Sequence, residues 1–156
     1  MRRFDRQIKD HDEMVDILQR ADVCRIAFAD GTKPYIVTML FGFLWEEEHP
    51  VLYFHSAGAG KKLEMMAVNN QVCFELDVDH ELVKAENACE CGMKYKSIVG
   101  FGLLHEVTGD EEKRMGLDLM MNHFGYGMNQ EYEHEAFGKT KVLRLSVTEL
   151  TGKNNS

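Results

Sequence analysis

The sequence contains no run of about 18 apolar residues, the length at which a segment becomes a candidate transmembrane helix. Its first residues, MRRFDRQIKDHDE, are charged throughout and lack the apolar stretch of a secretory signal peptide. Positive charge is also in deficit, with 18 Lys and Arg against 26 Asp and Glu and a formal net charge of −8. Such a surface repels nucleic acid and anionic membranes. We therefore expect a cytoplasmic protein that binds an anion only in a local pocket.

Cysteine is scarce, with 4 residues among 156. Cys24 and Cys73 fall inside strand-like segments, where a reduced thiol serves as a small core residue. Cys89 and Cys91 lie near His80 in the sequence, but a structural zinc site usually needs more ligands and wider cysteine spacing. We therefore expect reduced thiols, with neither a disulfide framework nor a metal site.

The sequence also lacks internal repeats, low-complexity tracts and linkers rich in proline or glycine. With 156 residues and 44% hydrophobic content, the chain can fill one core but not two independent ones. The polar stretches 46–49 and 77–90 are short enough to be loops. We expect residues 1–156 to form a single domain.

Strand-like segments dominate what the sequence does contain. Each is rich in β-branched or aromatic residues, and turn residues separate one segment from the next. They occupy residues 23–28, 35–45, 51–55, 72–78, 95–107 and 142–147. Six strands in nearly consecutive order, with few helices between them, favour a mostly β fold, an antiparallel six-stranded β-barrel with short peripheral helices.

The segment 35–45 stands out because both of its faces are apolar. One face carries Tyr35, Val37, Met39, Phe41 and Phe43, and the other carries Ile36, Leu40 and Leu44. A barrel wall needs only one dry face. We therefore expect the second face to contact a helix, a ligand or another subunit.

Three helices are expected around the barrel, at residues 10–21, 61–68 and 108–124. In the last of these, Thr108 and Glu111 have the spacing of a capping box, and Gly125 would end the helix. Gly116 lies inside it and should weaken it by about 1 kcal/mol relative to alanine.

The stretch FHSAGAGKK, residues 54–62, is the clearest candidate for a binding site. A strand-like run ends at His55, a turn of small residues follows, and Lys61 and Lys62 begin a predicted helix. The backbone N–H groups of such a turn point toward the same place as the lysines, an arrangement that attracts phosphate. The stretch lacks the Ser or Thr of a Walker A loop. On the residues alone, a phosphorylated ligand and a pair of solvated lysines are equally good interpretations.

Several segments, taken in order, resemble a known family. These are RIAFADGTKPYIVTMLFGF, LYFHSAGAGKK, NNQVCFELD, KYKSIVGFG and a final TGK. Together they resemble the pyridoxamine 5′-phosphate oxidase-like split barrels, and within these the 5-nitroimidazole reductase (Nim-type) branch. The resemblance extends from about Arg3 to Lys153, nearly the whole chain.

The resemblance implies a homodimeric six-stranded split β-barrel that binds FMN in a cleft between the two subunits. The residues that it implies as cofactor contacts are Val37, Thr38, Met39 and Leu40 along the flavin ring, His55, Ser56 and Ala57 at the ring and ribityl chain, Lys61 and Lys62 at the phosphate, and Ser97 and Ile98 along the cleft. It also implies His55 as the catalytic residue, the first candidate to donate a proton.

The implied activity is the reduction of small, electron-poor acceptors such as nitroaromatic compounds, with electrons from NAD(P)H or another donor. The apolar VTML replaces basic residues of the true oxidases, and their basic C-terminal motif is missing, so vitamin B6 oxidation is not expected. Two alternatives are a flavin-binding or sensing module without turnover, and a split barrel that holds haem or a deazaflavin.

Overall fold

Eight antiparallel strands form one continuous sheet in the part of the chain that the computed structural model describes, residues 3–31 and 33–156. The strands are β1 (Gln7–Ile8), β2 (Cys24–Asp30), β3 (Lys33–Met39), β4 (Gly42–Glu46), β5 (His49–Ser56), β6 (Gln71–Val83), β7 (Gly92–Glu106) and β8 (Lys141–Asn154). Their order across the sheet is β3-β2-β6-β7-β8-β5-β4, and β1 pairs with β8. The predicted fold class, a mostly β antiparallel barrel with short helices, is confirmed.

The strand β8 connects the β7 side of the sheet to the β5 side and also pairs with β1, so it has three partners. Residues 141–146 pair with β5, whereas Gly152 and Lys153 pair with β1. Along almost its whole length β8 also pairs with β7, with one register shift between Phe101 and Gly102. A single long strand therefore belongs to both halves of the barrel.

The predicted strand 35–45 divides in two, and with the short β1 this gives eight strands where six were predicted. β3 ends at Met39, and β4 begins at Gly42 at the opposite edge of the sheet. Gly42 allows a helix to approach very closely, because a Cβ at this position would lie 2.4 Å from the backbone carbonyl carbon of Leu119. The chain thus changes direction where any side chain would collide with that helix.

Four α-helices lie in the described ranges 3–31 and 33–156, namely α1 (His11–Arg20), α2 (Lys61–Val68), α3 (Asp110–His123) and α4 (His134–Lys139). The Asp10 side chain caps α1 by accepting a hydrogen bond from the backbone N–H of Asp12 at 2.9 Å. The capping box predicted for α3 does not form, since the N-cap is Gly109. α4 was not predicted, and the Glu133 side chain caps it. No helix of the described residues combines the length and hydrophobicity needed to cross a membrane.

Strand alternation gives one hydrophobic core inside the barrel and a smaller one outside it. In β5, Leu52 and Phe54 are fully buried in the inner core. Val51 and Tyr53 belong to the outer core, where α3 covers the sheet. The outer face of β5 is therefore dry as far as Tyr53, and the next residue on that face is His55.

Candidate functional site

The turn between β5 and α2 concentrates positive charge. β5 ends at Ser56, and α2 begins with Lys61 and Lys62. Gly60 is the N-cap with a φ of 136°, which favours glycine, and no side chain of the described residues caps this helix. Two ammonium groups and uncapped backbone N–H groups thus share one exposed turn, a donor set that suits a phosphate. We call residues 57–62 the anion turn.

Lys61 connects the anion turn to the edge of the sheet. Its ammonium nitrogen lies 4.7 Å from the centroid of the Tyr35 ring, which is a cation–π geometry. Tyr35 belongs to β3, which lies at one end of the strand order. The anion turn and the strand predicted to carry the flavin ring are therefore neighbours in space.

Alternation along β3 decides which of its predicted contact residues can offer a side chain to a ligand. Met39 is buried and Val37 is half-buried, and both pack toward the inner core. Thr38 points outward, as do Ile36 and Leu40, which are 64% and 45% exposed. On this outer face, Val37 and Met39 can contact a ligand only through their backbone.

His55 lies at the end of β5, directly before the anion turn. Although part of the ring is exposed, desolvation by neighbouring atoms, with a smaller contribution from the charge of Lys62, holds its pKa below the ordinary value of 6.5. The imidazole is therefore neutral at neutral pH, and its role as a proton donor stays a prediction. The adjacent Ser56 is buried, and its hydroxyl donates to the carbonyl of Ala57 at 2.9 Å. This bond stabilises the turn and engages the hydroxyl hydrogen.

Ser97 and Ile98 lie on β7, and β2 and β6 separate them from β3 in the sheet. Ile98 is fully buried in the inner core, so only its backbone is open to a ligand. Ser97 is half-exposed on the outer face and pairs with Asp77 of β6. The structure therefore groups β3, His55 and the anion turn, and it places the two β7 residues apart from them within one chain.

A polar network on the outer face of the sheet was not predicted. Nη1 of Arg25 donates to Asp77 at 2.7 Å and to Glu75 at 3.1 Å. Nε2 of His80 lies 2.6 Å from the other carboxylate oxygen of Asp77. Arg25 also pairs across the strands with Thr38, a predicted flavin contact. The network thus lies on the same face of the sheet as the β3 side chains that are expected to contact a flavin ring.

The sequence carried one signal of this network. The strand segment RIAFAD places Arg25 next to the buried Cys24 and Ile26, so its charged side chain must face outward. Glu75 and Asp77 fall inside the predicted strand 72–78, but no local pattern shows that this strand pairs with β2, and His80 falls in the stretch 77–90 for which the sequence predicts a loop. In the structure, β6 continues to Val83.

The cysteines are all free thiols. Cys24 is buried as predicted, whereas Cys73 is half-buried. Cys89 and Cys91 are exposed in the hairpin between β6 and β7. Among residues 3–31 and 33–156, no three metal-ligating side chains come together.

Comparisons with known proteins agree with this architecture. The family model described as pyridoxamine 5′-phosphate oxidase matches residues 10–154. The chain is 33% identical to a candidate 5-nitroimidazole antibiotic resistance protein from Bacteroides thetaiotaomicron, with a TM-score of 0.80 over 94% of this chain and 85% of that one.

Two further structures are similar in fold at lower identity. An FAD- and haem-binding protein from Mycobacterium smegmatis is 18% identical, with a TM-score of 0.84 over 97% of this chain and 74% of that one. A flavocytochrome from Azotobacter vinelandii is also 18% identical, with a TM-score of 0.81 over 100% and 72% of the two chains. No curated protein matches the sequence. On the family match and the 33% identical relative, the chain belongs to the pyridoxamine 5′-phosphate oxidase family.

Proposed function

We propose that this protein is an FMN-binding flavoprotein that reduces small, electron-poor acceptors of the nitroaromatic kind. NAD(P)H or another donor supplies the electrons. The observation that carries the proposal is the anion turn beside β3, a strand whose outward side chains are exposed. A flavin nucleotide needs both features, because its phosphate requires localised positive charge and its ring requires an apolar surface.

The described residues fit this cofactor. Lys61, Lys62 and the first N–H groups of α2 would hold the phosphate, and the outward side chains of Thr38 and Leu40 would border the ring. When bound, a flavin supplies two-electron transfer. The chain's own part is to bind the phosphate, to orient the ring and to exclude water from one side of it. His55 would form a hydrogen bond at the edge of the site.

Related proteins support a flavin in this fold. One similar structure is that of an FAD- and haem-binding protein, and another is that of a flavocytochrome. The relative at 33% identity is a candidate resistance protein against 5-nitroimidazoles, which are electron-poor nitro compounds. These likenesses support the cofactor class and the acceptor class that we propose.

We further propose that the protein is a cytoplasmic homodimer with the flavin between its chains. An apolar row crosses the outer face of four neighbouring strands. Each residue of the row pairs with the next one across the strands, in the order Ile36, Ala27, Cys73 and Phe101. Ile36 and Phe101 are exposed, and a groove of about 580 Å³ lies along Ala27, Cys73 and Phe101. Exposed apolar patches of this kind are typical of interfaces. A second copy of the chain would cover this row.

Titration of the purified protein with FMN tests the cofactor. We expect quenching of flavin fluorescence and a protein-bound visible spectrum, with FAD and haem titrated in parallel. A protein that stays colourless and leaves FMN fluorescence unchanged contradicts the proposal. A haem spectrum without flavin binding would favour the haem-binding alternative.

The anion turn is tested by Lys61→Ala combined with Lys62→Ala. Each charge-assisted hydrogen bond to a phosphate contributes roughly 1.5–3 kcal/mol, so FMN should bind more weakly by a few kcal/mol. Riboflavin, which lacks the phosphate, should bind both proteins equally. Lys94→Ala removes an exposed lysine of the β6–β7 hairpin that pairs with Glu81 and serves as the matched control. Equal loss of FMN and riboflavin binding would show that the phosphate does not bind at this turn.

Sedimentation of the flavin-loaded protein tests the dimer. Phe101→Lys should give a monomer that binds FMN more weakly, whereas Val68→Lys, at an exposed position of α2, should leave the dimer intact. A wild-type protein that stays monomeric while it binds FMN would exclude the interface site. A non-catalytic flavin module remains the second candidate, and it is favoured if NAD(P)H reduces the flavin while no acceptor reoxidises it.

A further inference from the structure

Strand β6 contains a distortion that flavin binding does not explain. Its register against β7 shifts between Val78 and Glu81, so that β6 carries one extra residue, and Asp79 adopts a φ of 62°. Positive φ is uncommon outside glycine, and a bulge of this kind redirects a side chain. Arg20 of α1 stabilises the bulge through a bidentate ion pair with Asp79, with hydrogen bonds of 2.6 and 2.9 Å.

The bulge turns His80 toward Asp77. In a regular strand, residues three positions apart point to opposite faces of the sheet. Here Nε2 of His80 lies 2.6 Å from Oδ2 of Asp77, so the two side chains meet. An ionised carboxylate only accepts hydrogen bonds, so Nε2 carries the hydrogen and Nδ1 is the site for proton exchange. The His80 side chain is 51% exposed, which leaves the ring accessible.

Asp77 is held in its ionised form. Burial raises the pKa of Asp77, but the hydrogen bonds from Arg25 and His80 together lower it by more than burial raises it. The pKa of Asp77 therefore lies below its ordinary value. A carboxylate that orients a histidine in this way is a common arrangement for proton exchange with a third group. The other charged groups around the imidazole are Glu75 and Asp79 of β6, Arg20 of α1, Asp22 before β2, and Arg25 of β2.

The pair lies beside the proposed flavin cleft. Asp77 pairs with Ser97, and its partner Arg25 pairs with Thr38, so the network occupies the outer face between two predicted cofactor contacts. A polar cavity of about 360 Å³ opens at Asp77 and His80. An acceptor bound in this cavity would have the His80 imidazole beside it.

We propose that His80 and Asp77 form a proton-exchange pair for the acceptor, an inference that rests on the proposed function. Asp77 is the positioning residue, and His80 donates the proton. A nitro group that has gained a hydride ion carries one negative charge, and the proton from Nδ1 neutralises one of its oxygens. Nδ1 first takes a proton from solvent, so that His80 is an imidazolium; its Nδ1–H bond then breaks and an O–H bond forms on the acceptor, which leaves a neutral imidazole with its hydrogen on Nε2. Asp77 stays ionised throughout. His55 is less suited to this task, because its pKa is held below the ordinary value.

Nitrogen NMR of the histidine side chains in flavin-free protein tests the geometry without any activity. We expect His80 to carry its hydrogen on Nε2 in the wild type. This preference should weaken in Asp77→Ala and persist unchanged in Glu81→Ala, which removes an exposed acid of the same strand. A wild-type His80 with both tautomers equally populated overturns the inference.

Anaerobic mixing of reduced, FMN-loaded protein with two oxidants tests the proton itself. The nitro group of p-nitrobenzoate needs a proton, whereas ferricyanide takes electrons alone. We expect His80→Gln to slow reduction of p-nitrobenzoate by about 100-fold, within the range for loss of a general acid. Ferricyanide should react at the wild-type rate, and His105→Gln, at an exposed histidine of β7, should change neither rate.

The outcomes separate the two proposals. Equal p-nitrobenzoate rates in His80→Gln and His105→Gln overturn the proton-exchange pair and leave the flavin intact. A loss of both oxidant rates in His80→Gln shows a structural role and also overturns the pair. A wild-type protein that binds no FMN overturns the proposed function and this inference with it.

Discussion

Replacement of Gly116 by alanine should destabilise the protein, although it improves the helix propensity of α3. Alanine in a helix interior is favoured over glycine by about 1 kcal/mol. Against this, the new Cβ would lie 2.8 Å from Cδ1 of Tyr53 and 3.0 Å from Cγ1 of Val142, both of which are buried. An extra methyl group in a packed core typically costs about 1–3 kcal/mol. Overpacking should therefore outweigh propensity and lower the free energy of unfolding by about 1 kcal/mol.

Gly138→Ala in α4 is the matched control, because its Cβ would have no atom within 4 Å. This variant gains helix propensity without a collision and should stabilise the protein by up to about 1 kcal/mol. Urea unfolding at unchanged m-value gives both free energies, so the two variants should differ by about 2 kcal/mol. If Gly116→Ala stabilises as much as Gly138→Ala, α3 does not pack on Tyr53 as closely as the structure shows.

Three other predictions follow from single contacts. Lys62→Met should raise the pKa of His55 toward 6.5 in an NMR titration, whereas Lys61→Met should not change it. Because the pKa of His55 is below 6.5 in the folded protein, the unfolded chain binds the proton more readily. The free energy of unfolding should therefore be highest above pH 6.5 and should fall as the pH drops below that value. His55→Gln should reduce this fall when unfolding is measured across acid pH. Asp118→Ala should cost about 1.5–3 kcal/mol, the usual contribution of a hydrogen bond to a charged group. The buried Asp118 carboxylate accepts from the backbone N–H groups of residues 129 and 130 at 3.1 Å, so their hydrogen exchange should accelerate.

Much of the fold could be predicted because it depends on local patterns. The alternation in 72–78 marks a strand with one buried face, and the small-residue turn before Lys61 marks the start of α2. These signals need no knowledge of the rest of the chain. The division of strand 35–45 could not be predicted in this way. It depends on contact between Gly42 and the backbone of Leu119, which is far away in the sequence.

The candidate site likewise has a part that local sequence patterns predict and a part that depends on contacts between distant residues. The residues of the anion turn are consecutive in the chain, so all of them could be identified from the sequence. The alternation along β3 buries the Met39 side chain, which therefore cannot make the predicted contact with the flavin ring. His80 could not be found from periodicity, because the bulge breaks the period of two on which such reasoning depends. Arg20 supports that bulge from α1, so the direction of the imidazole depends on where a helix packs on the sheet. Arg20→Gln should therefore weaken the Nε2–H preference of His80, although the hydrogen bonds of Arg20 go to Asp79 and Asp16 and that of His80 goes to Asp77. The same variant with an unchanged His80 tautomer would show that the bulge persists without the Arg20–Asp79 pair.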